Sequence, residues 1–360
     1  MRLAAARTRP LTLHFAQPLL TATGEFRERS SIILELIDTE GLAGYGEAAP
    51  WPGFGSETVA EALGRLNDAA PLLQGAALQP GEWPDAIAAH FHRAPAARAA
   101  LEGALWDLAA RRAGIPLAHQ FAAVLGGLAG TALERVQVSA LLMEGAPEAL
   151  RDEARRVSAA GYRAAKLKLG TGSLAEDLAR VRAAREGLGP DVALRGDANG
   201  TWSERTAREA FDALAQFGLA YIEQPLPAGE IDGMARLRRD APVRIAADES
   251  VATAAGAMRL LEAGAADVLV LKPATLGGPA QALGIAASAR RTGCEVVFSH
   301  TFESAVGARH VLHCAAAWGD AGAIHGLDTR ELFVDDVGDA PARQQAAVIL
   351  GDAAGIGLRP

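Results

Sequence analysis

The sequence predicts an α/β protein: a TIM-like barrel of (β/α)7β type, preceded by an α+β module toward which the tail of the chain returns. Three observations carry this. From Val136 onward, short β-favouring runs alternate strictly with helical patterns, as parallel βαβ units require. Residues 1 to about 125 read instead as strands followed by helices. Finally, Lys168, Asp197, Glu223, Asp248 and Lys272 each end a β-favouring run, at gaps of roughly 24 to 29 residues. One strand plus one helix of a barrel takes about 30 residues, so these side chains fall in register at one end.

Composition bounds the answer. The chain has 360 residues, 50% of them hydrophobic, enough for a large core plus an added module. A net charge of -8 and the lack of a basic stripe argue against nucleic acid as a partner. Arg2, Arg7 and Arg9 are not followed by the apolar core of a signal peptide, and no run approaches the ~18 apolar residues of a membrane span. The expectation is a cytoplasmic protein with no membrane partner; a homo-oligomer is compatible with it. Cys294 and Cys314 form neither a disulfide framework nor a zinc-ligand spacing.

In chain order, residues 11–20 and 30–38 carry strand patterns, and the turn signal Asp38-Thr39-Glu40-Gly41 predicts an antiparallel hairpin or three-stranded meander ending near Tyr45. The polar stretch 19–29 between the first two strands is expected to be a mobile loop. Residues 46–58, with two prolines and three glycines, are irregular, and Trp51 and Phe54 are out of place on a purely solvent-facing loop. Helices are predicted over 57–73 and over 95–114, the second opened by Pro95 and closed by Gly114. On the latter, Ala97, Leu101, Ala104, Leu105 and Leu108 form one stripe, with Trp106 and Asp107 at its margin.

Residues 125–130, glycine-rich, mark the boundary. Strands are then predicted over 136–142, 163–169, 191–196, 219–223, 243–247, 267–271 and 294–299, with Ala323-Ile324 as a weak eighth. Helices fill 147–160, 174–187, 203–217, 230–239, 253–263, 278–292 and 303–317. Residues 346–350 are read as a strand returning to the first module.

The chemistry follows from the strand ends. Lys166 and Lys168, two residues apart, point to the same side of one strand. Asp197, Glu223 and Asp248 on three successive strands repel one another unless a cation lies among them, and hard oxygen ligands suit Mg2+, with Mn2+ as the alternative. For a single acid at a strand end, capping the next helix is the more ordinary role; three in register beside lysines point to a metal. A lysine acts as a base only with a depressed pKa, which the neighbouring Lys166 ammonium favours. Proton abstraction α to the carboxylate of a small-molecule substrate, through an enediolate, matches this set.

The residues Lys166-x-Lys168, Asp197, Glu223-x-Pro225, Asp248-Glu249-Ser250 and Lys272-Pro273 together resemble the muconate-lactonizing branch of the enolase superfamily. Within it, the segments 21–29, 46–58, 299–307 and 326–329 are most similar to the o-succinylbenzoate synthase family. The resemblance implies a capping domain over 1–125, a barrel over 130–328 and a tail over 329–360 that packs back toward the cap. It also implies a syn dehydration of a succinyl-hydroxycyclohexadiene carboxylate in menaquinone or phylloquinone synthesis. Lys168 would be the base, Asp197, Glu223 and Asp248 the metal ligands, and Lys272 an electrostatic partner to the ring. Arg27, Asn199, Ser299, His300, Glu303 and Ser304 are then expected to contact substrate. Two alternatives stay open: an N-acyl amino acid racemase, which needs bases on both faces, and a dipeptide epimerase. The latter group usually carries an Asp-x-Asp near Gly326-Leu327-Asp328-Thr329 to hold the substrate ammonium, and here Thr329 stands in place of the second acid, which lowers that reading without removing it.

Overall fold

The computed structural model describes residues 1–21, 24–125, 131–339 and 341–358. Three antiparallel strands open the chain: β1 (Leu3–Thr21), β2 (Gly24–Asp38) and β3 (Ala43–Ala48), in the order β1-β2-β3. The first strand thus begins well before residue 11. The stretch expected as a loop is ladder rather than loop, with Leu19 opposite Phe26 and Leu20 opposite Glu25; Ala22 and Thr23 lie outside the described residues. A register shift between His14 and Leu19 accommodates Pro18, which has no N–H to give the ladder.

Four helices follow: α1 (Val59–Leu73), α2 (Asp85–His90), α3 (Pro95–Ala113) and α4 (Leu117–Val124). A Thr58/Glu61 capping box starts α1, and Gly114 in the left-handed region ends α3. Helix α3 departs from its one-sided stripe. Trp106 is 6% exposed and Asp107 fully buried, because the β3 backbone covers one face and the end of the chain another. A Cβ on Gly46 would lie 1.9 Å from the Ala100 carbonyl oxygen, so this strand–helix contact admits no side chain. On the other face, Asp107 accepts hydrogen bonds from the Tyr45 and Ile356 N–H groups.

The predicted strand 136–142 is two strands broken at Ser139: β4 (Arg135–Val138) and β5 (Ala140–Leu142). From β5 the alternation runs α5 (Pro147–Ala159), β6 (Ala164–Lys168), α6 (Leu174–Leu188), β7 (Ala193–Asp197), α7 (Glu204–Leu214), β8 (Leu219–Glu223), α8 (Ile231–Asp240), β9 (Ile245–Ala247), α9 (Ala254–Ala263) and β10 (Val268–Leu271). It continues through the short α10 (Pro273–Leu276), α11 (Pro279–Arg291), β11 (Glu295–Phe298) and α12 (Ala305–Trp318) to β12 (Ile324–His325). Strands β5 to β11 form one curled parallel sheet in sequence order. Strand β12 bridges its two edges: the Gly326 N–H donates to the Phe298 carbonyl, and the Ser139 N–H to the His325 carbonyl, each at 2.9 Å.

The tail also departs from expectation. Its strand β14 (Ala347–Ile349) hairpins with β13 (Arg343–Gln344) and pairs antiparallel with β4, not with the N-terminal sheet. The contact with the first module comes later, where Gly355 exchanges backbone bonds with Ile115 and Leu117.

Two apolar layers hold the barrel. Leu167, Leu194, Ile222, Ile245 and Leu269, all fully buried, face the helices, each contributing about 1.5–3 kcal/mol by burial. Alternate residues face the interior, where Tyr221, Ala246, Val268, Val270 and Val297 form a separate small cluster. Among the described residues, no helix is long and apolar enough to cross a membrane.

Candidate active site

Parallel pairing sets the site. Lys168 lies opposite Asp197, and Asp197 opposite Glu223, so the ends of β6, β7 and β8 are level. Their inward-facing residues open into a cavity of about 300 Å³ at the C-terminal end of the strands, roofed by loops of the first module. Lys166, Lys168, Asp197, Asn199, Asp248 and Lys272 all line it. Strands β6 and β10 are the second and sixth of the eight, which sets Lys168 and Lys272 across the ring from each other.

The charges are unevenly paired. Lys166 Nζ donates to Asp197 Oδ2 and Glu223 Oε1, both at 2.9 Å. Burial works against its charge, but Asp197, Glu223 and Asp248 outweigh this and raise its pKa well above the ordinary lysine value. Lys272 Nζ donates to Asp248 Oδ2 at 2.5 Å and sits 3.9 Å from the centre of the Phe54 ring. Lys168 Nζ has no hydrogen bond or ion pair among the described residues. Its pKa is lowered, first by burial and then by the Lys166 charge, against the pull of Asp197.

The three carboxylates are paired with lysines: Asp197 and Glu223 share the Lys166 ammonium, and Asp248 holds that of Lys272. Among the described residues, no group of three or more His, Cys, Asp and Glu side chains is drawn together as metal ligands. The donor set nonetheless fits a hard divalent ion. Asp248 Oδ1 and Glu249 Oε2 are buried without a hydrogen-bond partner, and burial pushes Glu223 up to about 7 and Asp248 up to about 6. Buried, unsatisfied carboxylate oxygens of this kind are what a cation satisfies.

Glu249 was not singled out as a site residue, yet it lines the cavity and accepts from Asn199 Nδ2 at 3.1 Å. Its position directly after Asp248 was the available signal. Asn199, at φ 46°, is held in the left-handed region that asparagine tolerates, with its N–H on Asp197 Oδ1.

The roof is aromatic. Trp51 and Phe54, in the segment that looked out of place, line the cavity with Leu19 and Phe302. Trp51 packs against Phe26, Phe54 and Phe302. Buried Arg29 ties this roof to the barrel by donating to the carbonyls of Ala49, Pro50 and Thr301 while stacking on Trp51. Arg27, by contrast, is 76% exposed, paired with Glu25 and absent from the cavity.

Ser299 and His300 line the cavity. Ser299 Oγ donates to the Gly326 carbonyl. His300 is buried beside Thr329 Oγ1, and burial depresses its pKa to about 4, so the ring is neutral. Glu303 and Ser304 lie behind the wall rather than on it. Glu303 accepts from the Thr301 N–H and hydroxyl, while Ser304 caps α12 and donates to buried Glu47. They position the loop that carries His300 and Phe302.

Comparison with known proteins agrees with this architecture. Residues 5–121 match the mandelate racemase / muconate lactonizing enzyme N-terminal domain, and residues 149–360 match the enolase C-terminal domain-like family. A hydrophobic dipeptide epimerase from Enterococcus faecalis is 30% identical, over 99% of both chains. An o-succinylbenzoate synthase from Geobacillus kaustophilus is 32% identical, over 84% of this chain and 78% of its own. The crystal structure of the Enterococcus faecalis dipeptide epimerase complexed with Mg and L-Leu-L-Tyr superposes with a TM-score of 0.88 at 29% identity, covering 99% of each chain. With both of its domains matched and a barrel mouth built from lysines and carboxylates, the chain belongs to the enolase superfamily, in its mandelate racemase/muconate lactonizing enzyme branch.

Proposed function

We propose that this enzyme is an o-succinylbenzoate synthase, a metal-dependent lyase of menaquinone or phylloquinone synthesis. It would convert 2-succinyl-6-hydroxy-2,4-cyclohexadiene-1-carboxylate to o-succinylbenzoate and water. The observation that carries the reading is the inequality of the two lysines across the cavity. A syn elimination needs one base on one face, and of the two lysines Lys168 is the one without a hydrogen bond or ion pair among the described residues, its pKa lowered by burial. Lys272, held by Asp248 and stacked on Phe54, is placed to supply positive charge.

Asp197, Glu223 and Asp248 would hold Mg2+. When bound, the ion stabilises the second negative charge that develops on the substrate carboxylate as the α-proton leaves. Neutral Lys168 takes that proton. Lys166 stays protonated between Asp197 and Glu223 and helps keep Lys168 neutral. The Lys168 ammonium then returns its proton to the departing hydroxyl on the same face, so one water leaves and the ring becomes aromatic. Trp51, Phe54 and Phe302 close the apolar side of the cavity against solvent.

The opposed placement of Lys168 and Lys272 favours a second reading, a racemase of N-acyl amino acids or an epimerase of dipeptides, in which both lysines exchange protons. Assaying the Mg2+-loaded enzyme for the aromatic product, beside racemisation of N-succinyl amino acids in deuterated water, separates the two. Efficient racemisation with no aromatic product would sink the lyase.

A further inference from the structure

One carboxylate of the cavity wall takes no part in the chemistry above. Asp328, just after β12, lines the main cavity and also a smaller neighbouring one of about 110 Å³. A bare aspartate there would make that corner complementary to an ammonium group. It is not bare. Arg343, from strand β13 of the tail, places Nη1 2.5 Å from Asp328 Oδ1 and Nη2 2.8 Å from Oδ2, a two-pronged pairing. The Tyr162 hydroxyl donates to the same Oδ2 and accepts from Arg343 Nη2 at 2.9 Å, closing a ring of three side chains. The Asp328 side chain is 11% exposed and that of Arg343 27%, so the pair is shielded from the screening that weakens surface pairs.

The consequence is a reversal of preference. An incoming ammonium would find both carboxylate oxygens occupied and a guanidinium behind them, a like-charge encounter. A neutral acyl group or a carboxylate meets no such penalty. We propose that Arg343 is a specificity-determining residue: by neutralising Asp328 from the tail, it excludes substrates with a free ammonium group and admits N-acylated or anionic ones. This rests on reading the main cavity as the substrate site.

The test uses two ligands that differ only at the amino end, L-Leu-L-Tyr and N-succinyl-L-Leu-L-Tyr, titrated calorimetrically into the Mg2+-loaded protein. The wild type is expected to bind the succinylated ligand at least tenfold more tightly. Arg343→Gln should erase or invert that ratio, chiefly by improving the unblocked peptide about tenfold, and adding Asp328→Asn to it should cancel the improvement. Arg343→Lys, which keeps the charge, should retain the wild-type preference and so separates lost charge from a disturbed tail. The proposal is overturned if the wild type shows no preference, whether it binds both ligands alike or neither, or if Arg343→Gln shifts both ligands by the same factor. A failure to form o-succinylbenzoate would remove the reaction proposed above and leave this ratio intact.

Discussion

The two sides of the cavity carry the same residue type in different electrostatic states. On the β6 side, Lys168 is half-buried and without a partner among the described residues, with the Lys166 charge one layer below it. On the β10 side, Lys272 is held by Asp248 and covered by an aromatic ring. Across one cavity, then, partner geometry makes two lysines unequal: one is held by a carboxylate and an aromatic ring, the other by neither among the described residues.

The largest effect expected is from removing the metal. Chelation should abolish both turnover and α-proton exchange, and Mg2+ should restore them, because neither lysine alone offsets the charge of an enediolate. Activity that survives exhaustive dialysis against a chelator would show that the lysines suffice. Next, Lys168→Ala should lower kcat by about 10²- to 10⁴-fold, the range of a lost general base, and abolish exchange at the α-carbon. Lys272→Ala should slow turnover while leaving exchange measurable. Equal loss of exchange in both variants would break the asymmetry and favour a two-base racemase.

A subtler probe is pH. Lys168 must be neutral to accept a proton, so kcat/KM should fall as pH drops through its depressed pKa. Lys166→Gln removes one of the influences that depress it, and the acid limb of the profile should move upward. An unmoved limb would mean that burial alone sets the pKa. The smallest effect concerns the cover on Lys272. Phe54→Leu deletes a cation–π contact of about 1 kcal/mol, which should raise KM about fivefold with exchange at the α-carbon unchanged.

Much of this was legible in the sequence because the barrel repeats its own rule. Polar residues at the ends of β-favouring runs, one unit apart, can only meet at one rim, and Lys168, Asp197, Asn199, Asp248 and Lys272 do line one cavity. What escaped prediction depends on partners distant in sequence. Arg27 and Arg29 stand two apart on one strand, yet of the two it is Arg29 that has the Ala49, Pro50 and Thr301 carbonyls and the Trp51 ring to bury it. The stripe on α3 marks one buried face, but the second is buried by Ile356, 249 residues from Asp107. Strand β14 reads the same whether it pairs with β4 or with the N-terminal sheet. Nor does residue spacing reveal that lysine ammonium groups, rather than empty space, lie between the carboxylates.

The tail's double attachment bears on how the molecule is made. Strand β14 joins β4 across more than two hundred residues, and Ile356 caps the buried Asp107 of α3. On a ribosome, the first module is therefore synthesised with one oxygen of the buried Asp107 still awaiting the Ile356 N–H, and the last dozen described residues must emerge before either half is complete. Loop closure over such distances is slow. Deleting residues 347–358 should yield chains that accumulate as aggregates rather than as a smaller folded enzyme, a dependence on one distant segment that a free-standing barrel would not have.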